Sequence, residues 1–312
     1  MGLNIAYSCN EGYIEQTGIS ILSLLENNKN VFDQINIYFI GKDVITKSIN
    51  NLKEIADNYN ANLVYLDFNE LCKDLTIDKT GRHIETVYAK LFFTDLLNID
   101  RIIYIDSDTI INGSLKEFWE VELNDNLVGG VSTHTVGSKK ILGLTDSDVF
   151  INDGVVLMNI KKLKEESFKE KFLECIASYN GNPPVLSEGV INKVCRGRIK
   201  VLNPKFNLMS GLITYNYGIF NTPKNFYPKE ELLEAINNPT IIHFLAGFYN
   251  RPWHVDCTHP MKNLYFLYKR RTIWKDTELK KRKLPLRIKL IGWMYRNLPV
   301  DFVEFFRKMK NV

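Results

Sequence analysis

The sequence predicts an α/β protein with a mostly parallel, Rossmann-like sheet flanked by helices. Over the first hundred residues, short runs of β-branched and aromatic residues alternate with segments of helical periodicity, and this alternation is typical of βαβ units. A fully apolar run then ends in carboxylates at Asp106, and ligands bind at such strand ends in open α/β sheets. The composition, 45% hydrophobic and 24% charged, is that of a soluble globular chain and excludes intrinsic disorder.

Each expected element rests on a local pattern. Runs of β-branched and aromatic residues predict strands over 3–8, 35–40, 62–67, 101–106, 127–132, 148–160 with an interruption at 152–154, 199–202 and 240–245. Apolar residues three or four apart predict helices over 14–25, 45–59, 85–97 and 163–179. Asp43 is the expected N-cap of the second helix, because its carboxylate can accept bonds from first-turn amides. After residue 113 the order becomes less regular, so we expect a mixed sheet.

The sequence lacks the usual signals for secretion or membrane insertion. No apolar run approaches the roughly 18 to 20 residues that cross a bilayer. The N-terminus enters a predicted strand without the charged, apolar and cleavage regions of a signal peptide. Five cysteines are scattered without a CxxC pair, which predicts neither a disulfide framework nor a zinc site. We therefore expect a cytoplasmic protein with reduced thiols.

Charge is distributed unevenly along the chain. Residues 262–312 contain fifteen Lys or Arg and four Asp or Glu, a net charge of +11; since the whole chain carries +4, residues 1–261 carry −7. We therefore expect a main domain over 1–261 and a basic amphipathic segment over 262–312. Aromatic and aliphatic residues interleave with Lys and Arg over 280–312, which favours an anionic membrane interface. Helices packed on the main domain or an oligomer contact are the alternatives, and nucleic-acid binding is not expected because the rest of the chain is acidic.

Asp106-Ser107-Asp108 is the sharpest local feature of the sequence. Two carboxylates one residue apart at a strand end can hold one divalent cation, and such hard oxygen ligands favour Mg²⁺ or Mn²⁺. A solvated turn that caps a helix near Ser114 is the structural alternative. The run 102–109 also fits the hhhhDxDxT pattern of haloacid-dehalogenase-type phosphatases. In those enzymes the motif normally follows the first strand, whereas here three strands precede it.

A second group of residues surrounds the strand over 240–245. His243 can supply an imidazole to the same cation, and a set of two Asp and one His suits Mn²⁺. A histidine in an apolar strand is alternatively a satisfied core residue. Downstream, Gly247 permits close approach of the backbone, and Arg251 offers a planar, permanent positive charge to a diphosphate.

Several motifs occur in an order that points to a known family. They are Ile5-Ala6-Tyr7 with Tyr13 and Ser23-Leu24-Leu25, Tyr88-Ala89-Lys90-Leu91, Ile103-Tyr104-Ile105-Asp106-Ser107-Asp108, Asn152-Asp153-Gly154-Val155, and His243-Phe244 with Pro252-Trp253. Together they cover about residues 3–255. In this series the chain resembles the retaining glycosyltransferases of family 8, which include glycogenin and bacterial lipopolysaccharide galactosyl- and glucosyltransferases.

The resemblance implies a GT-A fold that binds a UDP-sugar, with Mn²⁺ (or, as an alternative, Mg²⁺) coordinated by Asp106, Asp108 and His243. The residues that it implies for donor binding are Ala6 and Asn10 at the uridine, Lys90, Asn152 and Gly154 near the sugar or phosphate, and Ser107, Gly247 and Arg251. Negative charge develops on UDP as the sugar leaves, and a fixed cation with Arg251 would stabilise it. We expect Asp106, Asn152 and Glu188 to take part in catalysis.

The chain departs from the family pattern at several positions. Asn10 stands where relatives usually carry Asp, Arg251 replaces the common Lys, and the loop before Pro252 is one residue longer. The segment 186–192 lies where the family often has an Asp-Gln-Asp run; both Asp positions are lost, and Glu188 replaces Gln. Glu188 can shield an oxocarbenium-like transition state, act as a nucleophile or accept the acceptor's proton. We expect electrostatic stabilisation with front-face substitution, and capping of the following helix is the structural alternative.

The expected function is therefore transfer of a hexose, glucose or galactose, from a UDP-sugar with retention of configuration. The expected acceptor is a glycan or lipid-linked glycan of the cell envelope, such as lipopolysaccharide or capsule. The expected location is the cytoplasm, peripherally on the inner face of the membrane. A family member that binds nucleotide-sugars without transferring them is one alternative, and a DxDxT phosphohydrolase is the other.

Overall fold

The computed structural model describes residues 1–78, 85–96, 99–133, 138–214, 227–298 and 302–303. The chain divides into two compact units, the first formed by Met1–Ser107 with Ser114–Leu202 and the second by Asp108–Gly113 with Asn203–Val312. The chain thus leaves the first unit within the Asp106-Ser107-Asp108 motif. The predicted division after residue 261 falls inside the second unit and stays a prediction.

The strands and helices are numbered separately along the described chain. The strands are β1 (Gly2–Asn10), β2 (Gln34–Lys42), β3 (Asn62–Asp67), β4 (Arg101–Ile105), β5 (Thr109–Ile111), β6 (Val128–Ser132), β7 (Ile151–Asn159), β8 (Ile199–Val201), β9 (Leu208–Met209) and β10 (Ile241–His243). The α-helices are α1 (Ile14–Asn28), α2 (Thr46–Asp57), α3 (Phe68–Leu71), α4 (Lys116–Trp119), α5 (Ser138–Ile141), α6 (Ile160–Glu165), α7 (Phe168–Ser178), α8 (Leu186–Val194), α9 (Ser210–Thr214), α10 (Lys229–Asn237), α11 (Lys262–Lys269) and α12 (Leu286–Asn297). Shorter 3₁₀ turns cover Glu11–Tyr13 and Pro204–Asn207, and a longer 3₁₀ segment covers Glu85–Asp95.

The first unit is built on a seven-stranded sheet of order β3-β2-β1-β4-β7-β6-β8. All neighbours are parallel except β4 with β7 and β7 with β6, which are antiparallel. The predicted mixed α/β sheet is therefore confirmed. The strand order changes direction between β1 and β4, and such a switch point opens a crevice at the carboxyl ends of the strands. Asn10 ends β1, and Asp106 directly follows β4.

The core of the first unit joins the sheet to the helical segments beside it. Tyr104 of β4 and Val156 of β7 belong to one buried cluster with Tyr88 and Phe92 of the 3₁₀ segment and with Ile191 of α8. Burial of such side chains contributes about 1.5–3 kcal/mol each. The cluster therefore fixes the positions of β4, β7, the 3₁₀ segment and α8, and these elements carry most of the polar residues considered below.

Three local expectations are wrong. β7 runs without interruption through 152–154, because Val155 and Val156 pair with β4 and Ile151 pairs with β6 across a bulge. The helix expected over 85–97 is confirmed for Glu85–Asp95, and it is a 3₁₀ helix, in keeping with the poor α-helix propensity of its Thr, Val, Tyr and Phe residues; residue 97 lies outside the described chain. The helix expected over 163–179 is divided between α6 and α7, because Ser167 adopts a left-handed conformation with φ 54°.

The third wrong expectation concerns the start of the second helix. Asp43 has φ 53°, and the helix begins at Thr46 with Ile45 as its N-cap residue. Ile45 is exposed, and the buried face of α2 consists of Ser48, Leu52 and Ala56. Asp43 thus lies before the helix instead of capping it.

The second unit contains a three-stranded sheet of order β5-β10-β9. β10 is antiparallel to β5 and parallel to β9, with Ile242 opposite Ile110 and Leu208. β5 carries the residues that follow Asp108, so this sheet brings Asp108 and His243 side by side. Among the described helices, none combines the length and apolarity needed to cross a membrane.

Candidate active site

Asp106 is held at the end of β4 by the first unit. Its backbone N–H donates to the carbonyl of Gly154 at 2.7 Å, which continues the antiparallel pairing of β4 with β7. The Tyr104 hydroxyl donates to Asp106 Oδ1 at 2.8 Å and also lies 2.9 Å from Ser8 Oγ. The carboxylate is therefore oriented by a buried tyrosine of the same strand.

The other predicted residues near β1 differ in their surroundings. Ser107 is buried, and its Oγ is 2.8 Å from the Thr17 hydroxyl of α1. Asn10 accepts a bond from the Gly12 N–H at 3.1 Å and so caps the 3₁₀ turn after β1. Ala6 is fully buried within the hydrophobic cluster, so its methyl group packs in the core.

Asp108 and His243 form a buried pair in the second unit. His243 Nε2 lies 3.0 Å from Asp108 Oδ1, and the Arg251 guanidinium approaches Asp108 Oδ2 with Nη2 at 2.9 Å and Nε at 3.1 Å. Burial alone would raise the pKa of Asp108, but His243 and Arg251 outweigh it and lower the pKa to about 2. The carboxylate is therefore charged at every physiological pH.

The surroundings of His243 suit a metal ligand. Its Nδ1 lies 3.0 Å from Asn207 Oδ1, so both ring nitrogens face oxygen acceptors. If Nδ1–H donates to Asn207, the lone pair of Nε2 faces the carboxylate, and only a proton or a cation between them makes that approach favourable. Asp106 is separated from Asp108 by one residue, and one ligand atom from each of Asp106, Asp108 and His243 lies within 4.8 Å of the others. This set of two carboxylates and one imidazole fits Mn²⁺.

The loop after β10 carries the predicted phosphate-binding residues. Ser210 Oγ donates to the carbonyl of Leu245 at 2.7 Å and holds the start of this loop. Gly247 follows, exposed and with φ +41°, a conformation that glycine adopts readily. Arg251 stands over the Trp253 ring at 5.7 Å, which fixes the direction of its side chain.

Lys90 lies in the 3₁₀ segment and is paired with a carboxylate that the sequence did not single out. Its Nζ is 2.9 Å from Asp153 Oδ2 and donates to the Asp153 carbonyl at 2.8 Å. The same ammonium group lies 4.0 Å from the centre of the Tyr104 ring. Lys90 is 1% exposed, and a buried charge of this kind requires its partner.

Glu188 projects from the first turn of α8 towards β7. Its Oε2 accepts a bond from Asn152 Nδ2 at 2.8 Å, while Asn152 Oδ1 accepts from the Gly154 N–H at 3.2 Å. Burial and the negative charge of Asp153 raise the pKa of Glu188 to about 8. The bond from Asn152 directs the Glu188 carboxyl group towards β7. Glu188 does not act as the helix cap, because no side-chain bond caps the N-terminus of α8 at Val185.

The comparison with protein families decides the assignment of this arrangement. A model described as "Glycosyl transferase family 8" matches residues 4–257. The chain belongs to this family of enzymes. The match leaves no place for the interpretation as a DxDxT phosphohydrolase.

Individual relatives of the family 8 chain are distant but cover most of its length. A lipopolysaccharide 1,2-glucosyltransferase of Escherichia coli K12 is 22% identical over 280 residues, which are 88% of this chain and 79% of that protein. General stress protein A of Bacillus subtilis is 21% identical over 279 residues, 87% of this chain and 94% of that protein. The crystal structure of the galactosyltransferase LgtC with donor and acceptor sugar analogs has a TM-score of 0.73 at 19% identity and covers 92% of this chain and 98% of that one. The expected GT-A fold is thereby confirmed.

Sequence reasoning on this family 8 chain missed the residues that support the predicted ones. Thr17, Tyr104, Asn207 and Ser187 each contact a predicted site residue or the carboxylate paired with one. Asp153 lay within a recognised motif without an assigned role. Asn207 is 36 residues from His243 in the chain, and no local pattern marks such a partner.

Proposed function

We propose that the chain is a retaining hexosyltransferase that takes glucose or galactose from a UDP-sugar in the presence of a divalent cation, Mn²⁺ or else Mg²⁺. The observation that carries this proposal is the group of Asp106, Asp108 and His243, in which the second histidine nitrogen faces Asn207. These three residues would hold the cation. When bound, it would neutralise the charge that develops on UDP as the glycosidic bond breaks.

The remaining residues would hold the donor and take part in transfer. In this proposal, Asn10 faces the uridine, and Ala6 contributes only its backbone there because its methyl group packs in the core. Ser107, Gly247 and Arg251 bind the diphosphate. Lys90, Asn152 and Gly154 lie near the sugar, and Asp106, Asn152 and Glu188 act in catalysis. The position of Arg251 supports this role, since its guanidinium group lies 2.9 Å from Asp108, a predicted metal ligand. A planar, permanent cation also matches the geometry of phosphate oxygens.

The names of two relatives support the choice of sugar and acceptor. One is a glucosyltransferase of lipopolysaccharide and another is a galactosyltransferase. We therefore propose a glycan or lipid-linked glycan of the cell envelope as acceptor. Residues 280–312 would attach the enzyme peripherally to the inner face of the membrane, because exposed Leu286, Leu290 and Trp293 lie on α12 among Arg and Lys residues.

The first experiment measures UDP release from UDP-glucose and UDP-galactose with Mn²⁺, with Mg²⁺ and with a chelator. Slow hydrolysis requires no acceptor, so an active centre should release UDP from one sugar only when the cation is present. Release that continues at the same rate in chelator would contradict the metal assignment. UDP binding with no release from any sugar, even with glycan acceptors added, would favour the non-catalytic alternative.

Asp108→Asn sharpens this test. The variant keeps the side-chain shape but loses the charge, so we expect Mn²⁺-dependent UDP release to fall about a hundredfold or more, with a cooperative unfolding transition retained. Asp148→Asn is the matched control, because Asp148 also accepts a bond from an arginine, Arg196, at 2.8 Å and has no proposed role in the site. Equal Mn²⁺-dependent UDP release by the two variants would show that Asp108 does not bind the cation.

A further inference from the structure

Asp153 lies at the centre of a buried polar group in the first unit. The proposed function gives Lys90 of this group a role near the sugar but gives Asp153 none. Asp153 follows Asn152 and precedes Gly154, whose carbonyl accepts the Asp106 N–H at 2.7 Å. Asp153 therefore sits on β7 beside the carboxyl end of β4. In α/β sheets this edge is the place where ligands bind.

Two neighbours fix the position of the Asp153 carboxylate. Oδ2 is 2.9 Å from Lys90 Nζ and accepts a bond from Ser187 Oγ at 2.5 Å. Lys90 is further committed by its bond to the Asp153 carbonyl and by the Tyr104 ring. A negative charge is thus held in one place by three different elements, β7, the 3₁₀ segment and α8.

The other carboxylate oxygen is available. Among the described residues, Asp153 Oδ1 makes no hydrogen bond, and the side chain is 11% exposed. This accessible part of the Asp153 side chain allows a ligand to donate a hydrogen bond to Oδ1. A sugar hydroxyl is such a donor, and a charged acceptor binds it more strongly than a neutral one.

Glu188, the neighbouring acidic residue, is not equivalent to Asp153 as a hydrogen-bond acceptor. Glu188 accepts its bonds from the Asn152 amide and from the Asp153 backbone N–H, whereas Asp153 pairs directly with the Lys90 ammonium group at 2.9 Å. The accepting group for a hydroxyl is Asp153, and Glu188 is its uncharged neighbour near neutral pH.

We propose that Asp153 Oδ1 accepts a hydrogen bond from a hydroxyl group of the transferred sugar and thereby contributes to the choice of hexose. Lys90 and Ser187 are positioning residues for this carboxylate. The inference rests on the proposed function, because it requires a sugar nucleotide bound at the carboxyl end of β4.

The test compares binding and turnover in the full chain with Mn²⁺. Dissociation constants are measured for UDP and for the UDP-hexose that the wild type hydrolyses fastest, and kcat/KM is measured for UDP-glucose and UDP-galactose. In Asp153→Asn we expect the affinity for UDP to stay within about twofold, while the extra affinity contributed by the sugar and the preferred kcat/KM each fall about tenfold or more. An unchanged ratio of UDP to UDP-hexose affinity, with unchanged preference, would overturn the inference.

A second variant guards against simple loss of structure, since Asp153→Asn leaves Lys90 without its partner. In Asp153→Ala with Ser187→Asp, the carboxylate moves to α8, and the present 2.5 Å contact between the two side chains allows it to reach Lys90. This double variant should recover at least part of the sugar-dependent affinity relative to Asp153→Ala alone. No recovery in a variant that melts like the wild type would count against the inference.

The same measurements separate the inference from the function on which it rests. A wild type that binds neither UDP nor UDP-hexoses would contradict both. A wild type that hydrolyses one UDP-hexose with Mn²⁺, together with an Asp153→Asn variant of unchanged selectivity, would contradict the role of Asp153 alone.

Discussion

The protonation state of Glu188 limits the chemistry open to this residue. Burial raises its pKa to about 8, and the charge of Asp153 adds to the effect, although the Asn152 bond opposes it. The sequence left three functional roles open: electrostatic shielding, nucleophilic attack and proton acceptance. Each of them needs the carboxylate form, so each would be weak at neutral pH and would strengthen as the pH rises towards about 8.

Glu188→Gln should change the pH dependence of stability. The usual pKa of this carboxyl is 4.5, and the folded value is about 8, so between these values the folded chain retains a proton that the unfolded chain releases. The free energy of unfolding of the wild type therefore falls as the pH rises through this window, by at most about 1.4 kcal/mol per pH unit. Gln has no proton to lose, so the variant should gain stability relative to the wild type from pH 5 to pH 9.

Urea unfolding at pH 5, 7 and 9 measures this difference. Glu166→Gln is the control, because Glu166 is paired with Arg198 and its pKa is lowered from the usual value. The stability that ionised Glu166 contributes is lost only as the pH falls below its usual pKa of 4.5. The stability of Glu166→Gln relative to the wild type should therefore be the same at pH 5, 7 and 9. A flat profile for Glu188→Gln as well would show that Glu188 is ionised in the folded chain.

At the scale of elements, α12 is packed against the loop that carries Arg251. The Phe248 and Tyr295 rings stack with centroids 5.5 Å apart, and Arg296 lies 5.1 Å from the Tyr249 ring centre. Asp256 binds Lys289 at 2.9 Å and the Leu284 N–H at 2.9 Å. Helical packing was the alternative to a membrane role for this basic segment, and α12 has one face docked in this way while the opposite face is exposed.

Gly292→Ala on α12 should therefore displace the loop that carries Arg251. A Cβ atom on residue 292 would lie 2.5 Å from Phe248 Cβ, so α12 or the loop must shift, and overpacking of this kind costs about 1–3 kcal/mol. We expect a lower melting temperature and a several-fold weaker affinity for UDP. Leu290→Ala is the matched control on the same helix, because Leu290 is exposed, and it should change neither quantity. Unchanged UDP affinity in a destabilised Gly292→Ala variant would mean that the loop binds no phosphate.

The strands were more predictable than the polar contacts between elements. The runs that became β1 to β4 lie on a buried sheet, so composition and alternation mark them directly. Asn152-Asp153-Gly154 has the composition of a turn, but these residues are buried beside α8 and continue β7. Tertiary contacts override local preference there, and the pattern of the sequence alone does not contain those contacts.

At the scale of the whole molecule, the same difference separates the proposed metal ligands from the residues that contact and support the site. The proximity of Asp106, Asp108 and His243 was predictable, because they lie beside apolar strands and their residue types suit one divalent cation; their role as metal ligands stays a prediction. Lys90 and Asp153 are 63 residues apart, so only the folded chain pairs them. The charge pattern, +11 over residues 262–312 against −7 before them, was equally visible in the sequence, and the structure adds which side chains of α12 face outward.

The outward face of α12 gives the membrane proposal a test that leaves the docked face intact. Leu290 and Trp293 are 60% and 51% exposed, and burying two such side chains in a lipid interface contributes about 1.5–3 kcal/mol each. Leu290→Ser with Trp293→Ser should therefore weaken binding to vesicles containing phosphatidylserine at least about tenfold, without loss of UDP hydrolysis. Ile45→Ser with Ile141→Ser removes two side chains of similar exposure, 56% and 65%, from the first unit and should leave vesicle binding unchanged.

Because cations contribute through screened attraction, wild-type binding to anionic vesicles should also fall as the salt concentration is raised and should be weak on phosphatidylcholine alone. Equal sedimentation of the two double variants with anionic vesicles would assign the outward face of α12 to a different contact.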